Sequence, residues 1–528
     1  VVGGGTFAVK ISTVLTKHNI SHAFVDEFVH GELLGLPVYR AAAIPDPDRL
    51  CIIAISDPTY SQAACERLAA QGVQQGCMLP LLYESQSNLF AHALSHCFDK
   101  VFAYIEQHPA DNMIDIDALL TNVFDHAPLP IGAPNQLPAT SAAPSLTKIA
   151  FCYIGQGGGF RSHVCDLPAQ LSQQYTVAEF SDHVIEQQTP HHRFMSEAAM
   201  LECDWADLVI NPHFFACSPA HTPKLTTMHM LYDFLVHRDL VARVMAQPEH
   251  HYMFMPSQAS LDLHLQICRD YDLRNQITFI PGGYPKLDQS IARYDALHQA
   301  LHTQQDQTGL PSTNTSTSTI IYAPTLSALV ETDETAFTYS IVHAQEFIPA
   351  ILAAFPDKNV IFRPHPDDMI VISQNIHTER ATAFRQLLAL CETHPRCHLD
   401  TNKFDYLASF AKASLLISDT SGIAYTFAAI TMKPVLFFVP DNDAVEELFP
   451  HVKYIQDRKH IGHCVGSTAE LLAAISRLDN TADDALNDKR AFCQQLVFHR
   501  GRAKNVFTDT VARILHNEPH PDWITHYT

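Results

Sequence analysis

Leu415-Leu416-Ile417-Ser418-Asp419-Thr420-Ser421-Gly422-Ile423-Ala424-Tyr425 is the stretch that decides how this chain folds. Four apolar or small residues read as a buried strand. The run stops at small hydroxyl residues and passes straight into a helix-like segment, Ile423 to Ile430. A strand that opens a helix in this way builds an anion site, because the N–H groups of the first turn and the helix dipole both favour negative charge there. A second stretch, Ile361-Phe362-Arg363-Pro364-His365-Pro366, ends another buried strand with a cation and a titratable imidazole. Together the two predict a cradle for a diphosphate, and so an enzyme that handles a nucleotide-activated donor.

Working outward, strands and helices alternate on both sides of these segments. Strands are expected at Lys148–Ile154, Leu208–Ile210, His251–Met255, Ile277–Ile280, Thr319–Pro324, Val360–Arg363, Leu415–Ser418 and Pro434–Phe438. Helices are expected over Arg161–Leu171, Ile291–His302, Ala344–Phe355, Ala381–Glu392, Ala469–Leu478 and Asn505–Leu515. Such alternation predicts parallel sheets with helices on both faces and ligands at the carboxyl ends of the strands. Polar, low-complexity stretches divide the chain. Residues 126–147 are rich in Pro, Ala, Ser and Thr, and 303–318 run TQQDQTGLPSTNTSTS. The expected layout is a small Rossmann-like unit over 1–125, a linker over 126–147, a second α/β unit over 148–302, a linker over 303–318 and a third α/β unit over 319–528.

In the first unit Gly3-Gly4-Gly5-Thr6-Phe7-Ala8 fits G-x-G-x-x-A, and Asp26 stands about 20 positions on, where a ribose-binding carboxylate would sit. The same glycines serve equally as a tight strand-to-helix turn. The chain opens inside a strand-like run, Val1-Val2-Gly3, without Met, so a preceding segment with any targeting information is expected.

Composition excludes several classes. Of 528 residues 47% are apolar and 17% charged, which permits large cores. A net charge of −22 argues against a nucleic-acid footprint and against broad adhesion to anionic lipid. A local basic patch at Arg500, Arg502 and Lys504 leaves peripheral contact with the cytoplasmic membrane face open. No apolar run reaches the roughly 18–20 residues that span a bilayer. Thirteen cysteines without a C-x-x-C fit a reducing, cytoplasmic setting. The adjacent pairs His191-His192 and His250-His251 lack metal-ligand spacing, and no metal site is expected.

Over roughly residues 200–515 the chain resembles the CDP-glycerol glycerophosphotransferases, including teichoic acid polymerases, whose fold is GT-B. Thr226-Thr227-Met228-His229 stands where that family has Trp-His-Gly-Thr. Pro281-Gly282-Gly283-Tyr284-Pro285-Lys286-Leu287-Asp288 is similar to its Gly-Tyr-Pro-Arg-x-Asp. Tyr322-Ala323-Pro324-Thr325, Arg363-Pro364-His365-Pro366 and Ser418-Asp419-Thr420-Ser421, followed by Lys433-Pro434, are similar to its later motifs. Met228, Met230, Gly422 and Thr426 depart from the pattern.

The resemblance implies attack of an acceptor hydroxyl on the β-phosphorus of a CDP-alcohol, with CMP leaving, in the synthesis of a surface polysaccharide. It implies no required cofactor beyond that donor. The acceptor would be a glycan or polyol phosphate. His229 would be general base, and His365 would bond a phosphate oxygen or protonate CMP. Ser418, Asp419, Thr420, Ser421, Gly422 and Thr325 would line the donor. Arg363 would add charge there or pair with Asp367 or Asp368. Gly157 and Gly158, within the Gly155–Gly159 loop, would face the acceptor side, with Tyr284 shaping a turn and Asp288 orienting backbone at the cleft. A glycosyltransferase using a CMP- or UDP-sugar, a UDP-sugar 2-epimerase, or a non-catalytic nucleotide-binding protein would share this cradle.

Overall fold

The computed structural model describes residues 1–4, 6–17, 19–27, 31–55, 58–74, 78–81, 90, 100–101, 103, 147–154, 158–182, 191–195, 197–213, 218–219, 221–232, 238–246, 250–307, 318–326, 339–366, 368–369, 378–402, 405–479 and 487–526. The segment 126–146 and most of 303–318 lie outside the described residues, as does Gly157.

Residues 318–465 form a six-stranded, all-parallel sheet. Its strands are β13 (Ser318–Tyr322), β14 (Lys358–Phe362), β15 (Cys397–Leu399), β16 (Ala413–Ser418), β17 (Val435–Phe438) and β18 (Gly462–Val465). Their spatial order is β15-β14-β13-β16-β17-β18. Counting from β13, this is the doubly wound order 3-2-1-4-5-6, whose direction reverses between β13 and β16. The strands are near-continuous apolar runs because both faces are covered: Ile320, Phe362 and Ile417 pack on one side, Ile321, Leu416 and Phe437 on the other.

The preceding unit repeats the plan. It contains β6 (Lys148–Cys152), β7 (Thr176–Ser181), β8 (His192–Phe194), β9 (Leu208–Asn211), β10 (Lys224–Thr227), β11 (His251–Met255) and β12 (Ile277–Pro281). The order β12-β11-β10-β9-β6-β7-β8 is parallel throughout and reverses between β6 and β9. The helix expected over Arg161–Leu171 is broken. A 3-10 turn covers Gly158–His163, Cys165 takes a φ of 54°, and a short helix restarts at Leu167–Leu171. Pro168 enforces the restart, since it has no N–H and suits only a first helical turn.

The C-terminus corrects the expected boundary at 319–528. Helix Ala503–His516 returns to the first large sheet, where Phe507, Val511 and Ile514 pack with Ile149, Phe151 and Phe254. The final strand β19 (Ile524–His526) then pairs antiparallel with β12. Three apolar side chains on one helix face need cover, and burial stabilises each by about 2 kcal/mol. The Asp288 carboxylate fixes the crossing, accepting from Gly501 N at 2.6 Å and Ala503 N at 2.8 Å.

The two sheets share one core. Helix Pro285–Gln307 leads from β12 to the second unit, and its Leu287 and Tyr294 pack with Phe410, Phe427 and Ala428. Tyr232, after β10, stacks on Tyr425 with ring centroids 4.1 Å apart and donates to Asp457 at 2.8 Å.

In the N-terminal unit Val2 bridges both Val25 and Ile53, and helix Thr6–Lys17 follows the glycine turn. Gly3, at φ 109°, lies so close to the backbone that a Cβ would meet Ala54 O at 3.0 Å.

Candidate active site

The second sheet supplies one rim of the cleft at its reversal point. β16 ends at Ser418, whose buried hydroxyl donates to Ala323 O at 2.6 Å. Asp419 is fully buried. Its carboxylate accepts from Thr325 N at 2.8 Å, Ser340 N at 3.0 Å and Ser340 Oγ at 2.8 Å. Burial pushes its pKa up, and these hydrogen bonds oppose the rise. The sequence expectation that Ser418 and Asp419 touch a donor is therefore corrected. They tie β13 to β16 beneath the rim, and Asp419 fixes the backbone of Thr325. Thr420 is also buried, and the first partly exposed residues are Ser421, Gly422 and Ile423. Helix Ile423–Thr431 starts there with no side-chain cap. The Tyr454 hydroxyl donates to Ser421 O at 2.7 Å and holds the turn from below.

Arg363 needs the same correction. Its guanidinium is buried, donating to Asp400 Oδ2 at 2.6 Å and to Asn402 O at 2.6 Å. Asp400 also accepts from Ser409 Oγ at 2.6 Å. Among the described residues the ion-pair partner of Arg363 is Asp400, so the cation locks β14 to the turn after β15, while Asp367 lies outside the described residues. His365 is partly exposed beyond it. β14 and β16 flank β13. With strands about 4.8 Å apart, His365 and Ser421 stand at one sheet edge with their strands roughly 10 Å apart.

The first large sheet supplies the other rim. The 3-10 turn after β6 carries Phe160, Ser162 and His163, and Gly158 opens it. His213 follows β9, His229 follows β10, and Tyr284 and Lys286 follow β12. These strand ends converge. Phe160 lies 4.0 Å from the His213 ring and 5.4 Å from the His229 ring, centroid to centroid. His163 stacks on Tyr284 at 6.0 Å. Burial, aided by the Lys286 charge and the neighbouring imidazoles, holds His163 well below the usual histidine range. Burial and His229 bring His213 down to about 3. Burial lowers Lys286 to about 8. Sequence motifs pointed to His229 and Tyr284. His163, His213, Lys286 and Tyr454 were not picked out as site residues, since they carry no motif of their own or sat inside one read as a turn.

The rims meet at Met230 and Gly422. A Cβ placed on Gly422 would lie 3.6 Å from the Met230 sulfur. The residue after His229 therefore lies next to the residue after Ser421, with space for no more than a small side chain between them. Asp288, expected to cap or orient backbone at the cleft, accepts from the Gly501 and Ala503 amides as described above. Two residues of the basic patch have partners within the fold: Arg500 donates to Ala429 O at 2.6 Å, and Lys504 pairs with Asp166, while Arg502 is exposed. A cavity of about 1130 Å³ lies beside the second sheet, lined by Ser318, Asn359, Ser414 and Lys433 and also by Asp400 and Asn402, the partners of Arg363. Among the described residues no group of three or more His, Cys, Asp or Glu is placed to hold a metal ion, and no helix is long and apolar enough to cross a membrane.

Two facing doubly wound units, joined by a shared core and a returning C-terminal helix, define the GT-B class of transferase folds, with an uncapped strand-to-helix turn on the second unit. Within that class, residues 260–512 match the model of the CDP-Glycerol:Poly(glycerophosphate) glycerophosphotransferase family. By that segment the chain is an enzyme of the glycerophosphotransferase kind. No curated protein matches it significantly. Among solved structures it is similar to the wall teichoic acid polymerase TagF, at 13% identity and a TM-score of 0.48, covering 80% of this chain and 98% of that one. It is also similar to a putative UDP-N-acetylglucosamine 2-epimerase from Listeria monocytogenes, at 12% identity, 0.46, 71% and 98%. A third is the UDP-GlcNAc 2-epimerase from Neisseria meningitidis, at 13%, 0.44, 70% and 100%.

Proposed function

We propose that the protein moves glycerol phosphate, or a related polyol phosphate, from a CDP-alcohol to a hydroxyl of a growing surface polysaccharide. The observation that carries this reading is the approach of Met230, the residue after His229, to Gly422 at an uncapped helix start. The donor diphosphate lies over Ser421, whose hydroxyl and the amides of Gly422 and Ile423 stabilise its charge. His229 takes the proton of the acceptor hydroxyl, whose oxygen attacks the β-phosphorus. The bond from that phosphorus to the bridging oxygen breaks, and His365 protonates the departing CMP. In phosphoryl transfer the protein mainly positions reactants and stabilises charge, which both rims can do without a bound metal.

The test is nucleotide release. The protein is incubated with CDP-glycerol, CDP-ribitol, a CMP-sugar or a UDP-sugar, each with a polyol-phosphate acceptor. CMP release from a CDP-alcohol, unaffected by EDTA, is the expected result. Release only from CMP- or UDP-sugars would make it a glycosyltransferase. Tight binding without turnover on any acceptor would make it a binding protein.

A further inference from the structure

The proposed reaction uses His229 and leaves the polar side chains behind it without a task. Tyr284 has a single hydroxyl proton, and it donates that proton to His229 O at 2.8 Å. At its 2.7 Å contact with His163 Nδ1 the phenol oxygen must therefore accept, so Nδ1 carries the hydrogen. A neutral imidazole has one N–H, so His163 Nε2 presents a lone pair. It faces Lys286 Nζ at 3.5 Å, and the same ammonium donates to Ser162 Oγ at 2.9 Å. Every proton in this series runs one way, from Lys286 through His163 and Tyr284 to the His229 carbonyl.

We propose that Lys286, His163 and Tyr284 form a positioning chain that fixes the backbone of His229 and so aims its imidazole at the acceptor hydroxyl. The proposal rests on His229 being the general base. The support is rigid at each link. His163 lies face to face with Tyr284, with 16° between their planes, and edge-on to His229 at 6.1 Å. The turn that presents Tyr284 has no freedom to shift. Gly283 sits at φ 95°, where a Cβ would lie 2.4 Å from Phe498 O, and a Cβ on Gly282 would strike the Phe254 ring at 2.3 Å. The low proton affinity of His163 keeps it neutral, as the one-way series requires. The hydrogen bonds of the chain all lie on the first rim, so the donor should bind normally without them.

Tyr284→Phe removes one oxygen and keeps the stacking. It should lower kcat roughly 10- to 100-fold, the scale of a misplaced catalytic group, with KM for CDP-glycerol unchanged within about twofold. His163→Ala should match it. His163→Asn, whose amide can donate from near the Nδ1 position, should recover most of the loss. In a His229→Ala background Tyr284→Phe should cost nothing further, because the group it aims is gone. Wild-type kcat in Tyr284→Phe would overturn the chain. So would an equal further loss in the His229→Ala background, which would mark general damage to the fold. Wild-type turnover in His229→Ala alone would instead remove the base assignment on which the chain rests.

Discussion

The two rims of the cleft are built from the same strand order and do opposite work. The first large sheet ends in imidazoles and an amine, and its polar atoms are arranged around protons. The second ends in a hydroxyl and an uncapped helix start, with its charged groups, Asp419 and Arg363, buried beneath as struts. One rim carries imidazoles and an amine, and the other offers the fixed dipoles of a helix start with His365 beside them. A transferase needs both: a group that changes protonation beside the nucleophile, and donors that stay constant beside the phosphate. The lesson is that equal folds do not imply equal sites. What stands just past the end of each strand sets the chemistry.

The largest effect expected is at the proton-handling rim. His229→Ala should lower kcat for CMP release by roughly 10²- to 10⁴-fold, the range for loss of a general base. On the charge-binding rim Ser421→Ala and His365→Ala should each cost about 10²-fold, the scale of a lost oxyanion donor. If Ser421→Ala were silent while His229→Ala was dead, the donor would have to lie elsewhere.

The rims should also differ in their response to acid. His213 is neutral in the fold, with a pKa near 3, while the unfolded chain takes up a proton on it near the ordinary 6.5. The unfolded state therefore binds more protons between these values, and stability falls as pH drops through that window. At pH 5 the loss from this residue is about 2 kcal/mol. Urea unfolding at pH 7 and pH 5 should show it, and His213→Gln should reduce it. An unchanged pH dependence in that variant would mean that the ring is solvated.

A smaller effect separates cap from catalyst. Asp288→Ala should destabilise the protein by about 1 kcal/mol, the usual cost of a lost helix cap, with kcat unchanged. A large fall in kcat without a change in stability would return Asp288 to the cleft.

The second large sheet was clear in the sequence, because strands buried on both faces read as apolar runs whatever surrounds them. Val360 to Arg363 and Leu415 to Ser418 lie within a few residues of the observed strands. The short strand Lys224–Thr227 was hidden, because a lysine and two threonines read as polar although all four residues are buried. Helix Ala503–His516 was legible as a helix, but its return to the first large sheet was not. Which sheet an apolar face covers is a tertiary choice. The same holds for Arg363, whose partner Asp400 is 37 residues away, and for His163, which meets Tyr284 across 121 residues. Ser421 was legible because a helix start after a strand is a local event.

The central claim is that one donor lies between the two rims. A structure of the protein with CDP-glycerol tests it most directly. The account expects the diphosphate at the start of helix Ile423–Thr431, with its oxygens within hydrogen-bond reach of Ser421 Oγ and the Gly422 and Ile423 amides, facing the His229 imidazole. A diphosphate bound in the cavity beside Lys433, or at the glycine turn of the N-terminal unit, would contradict it.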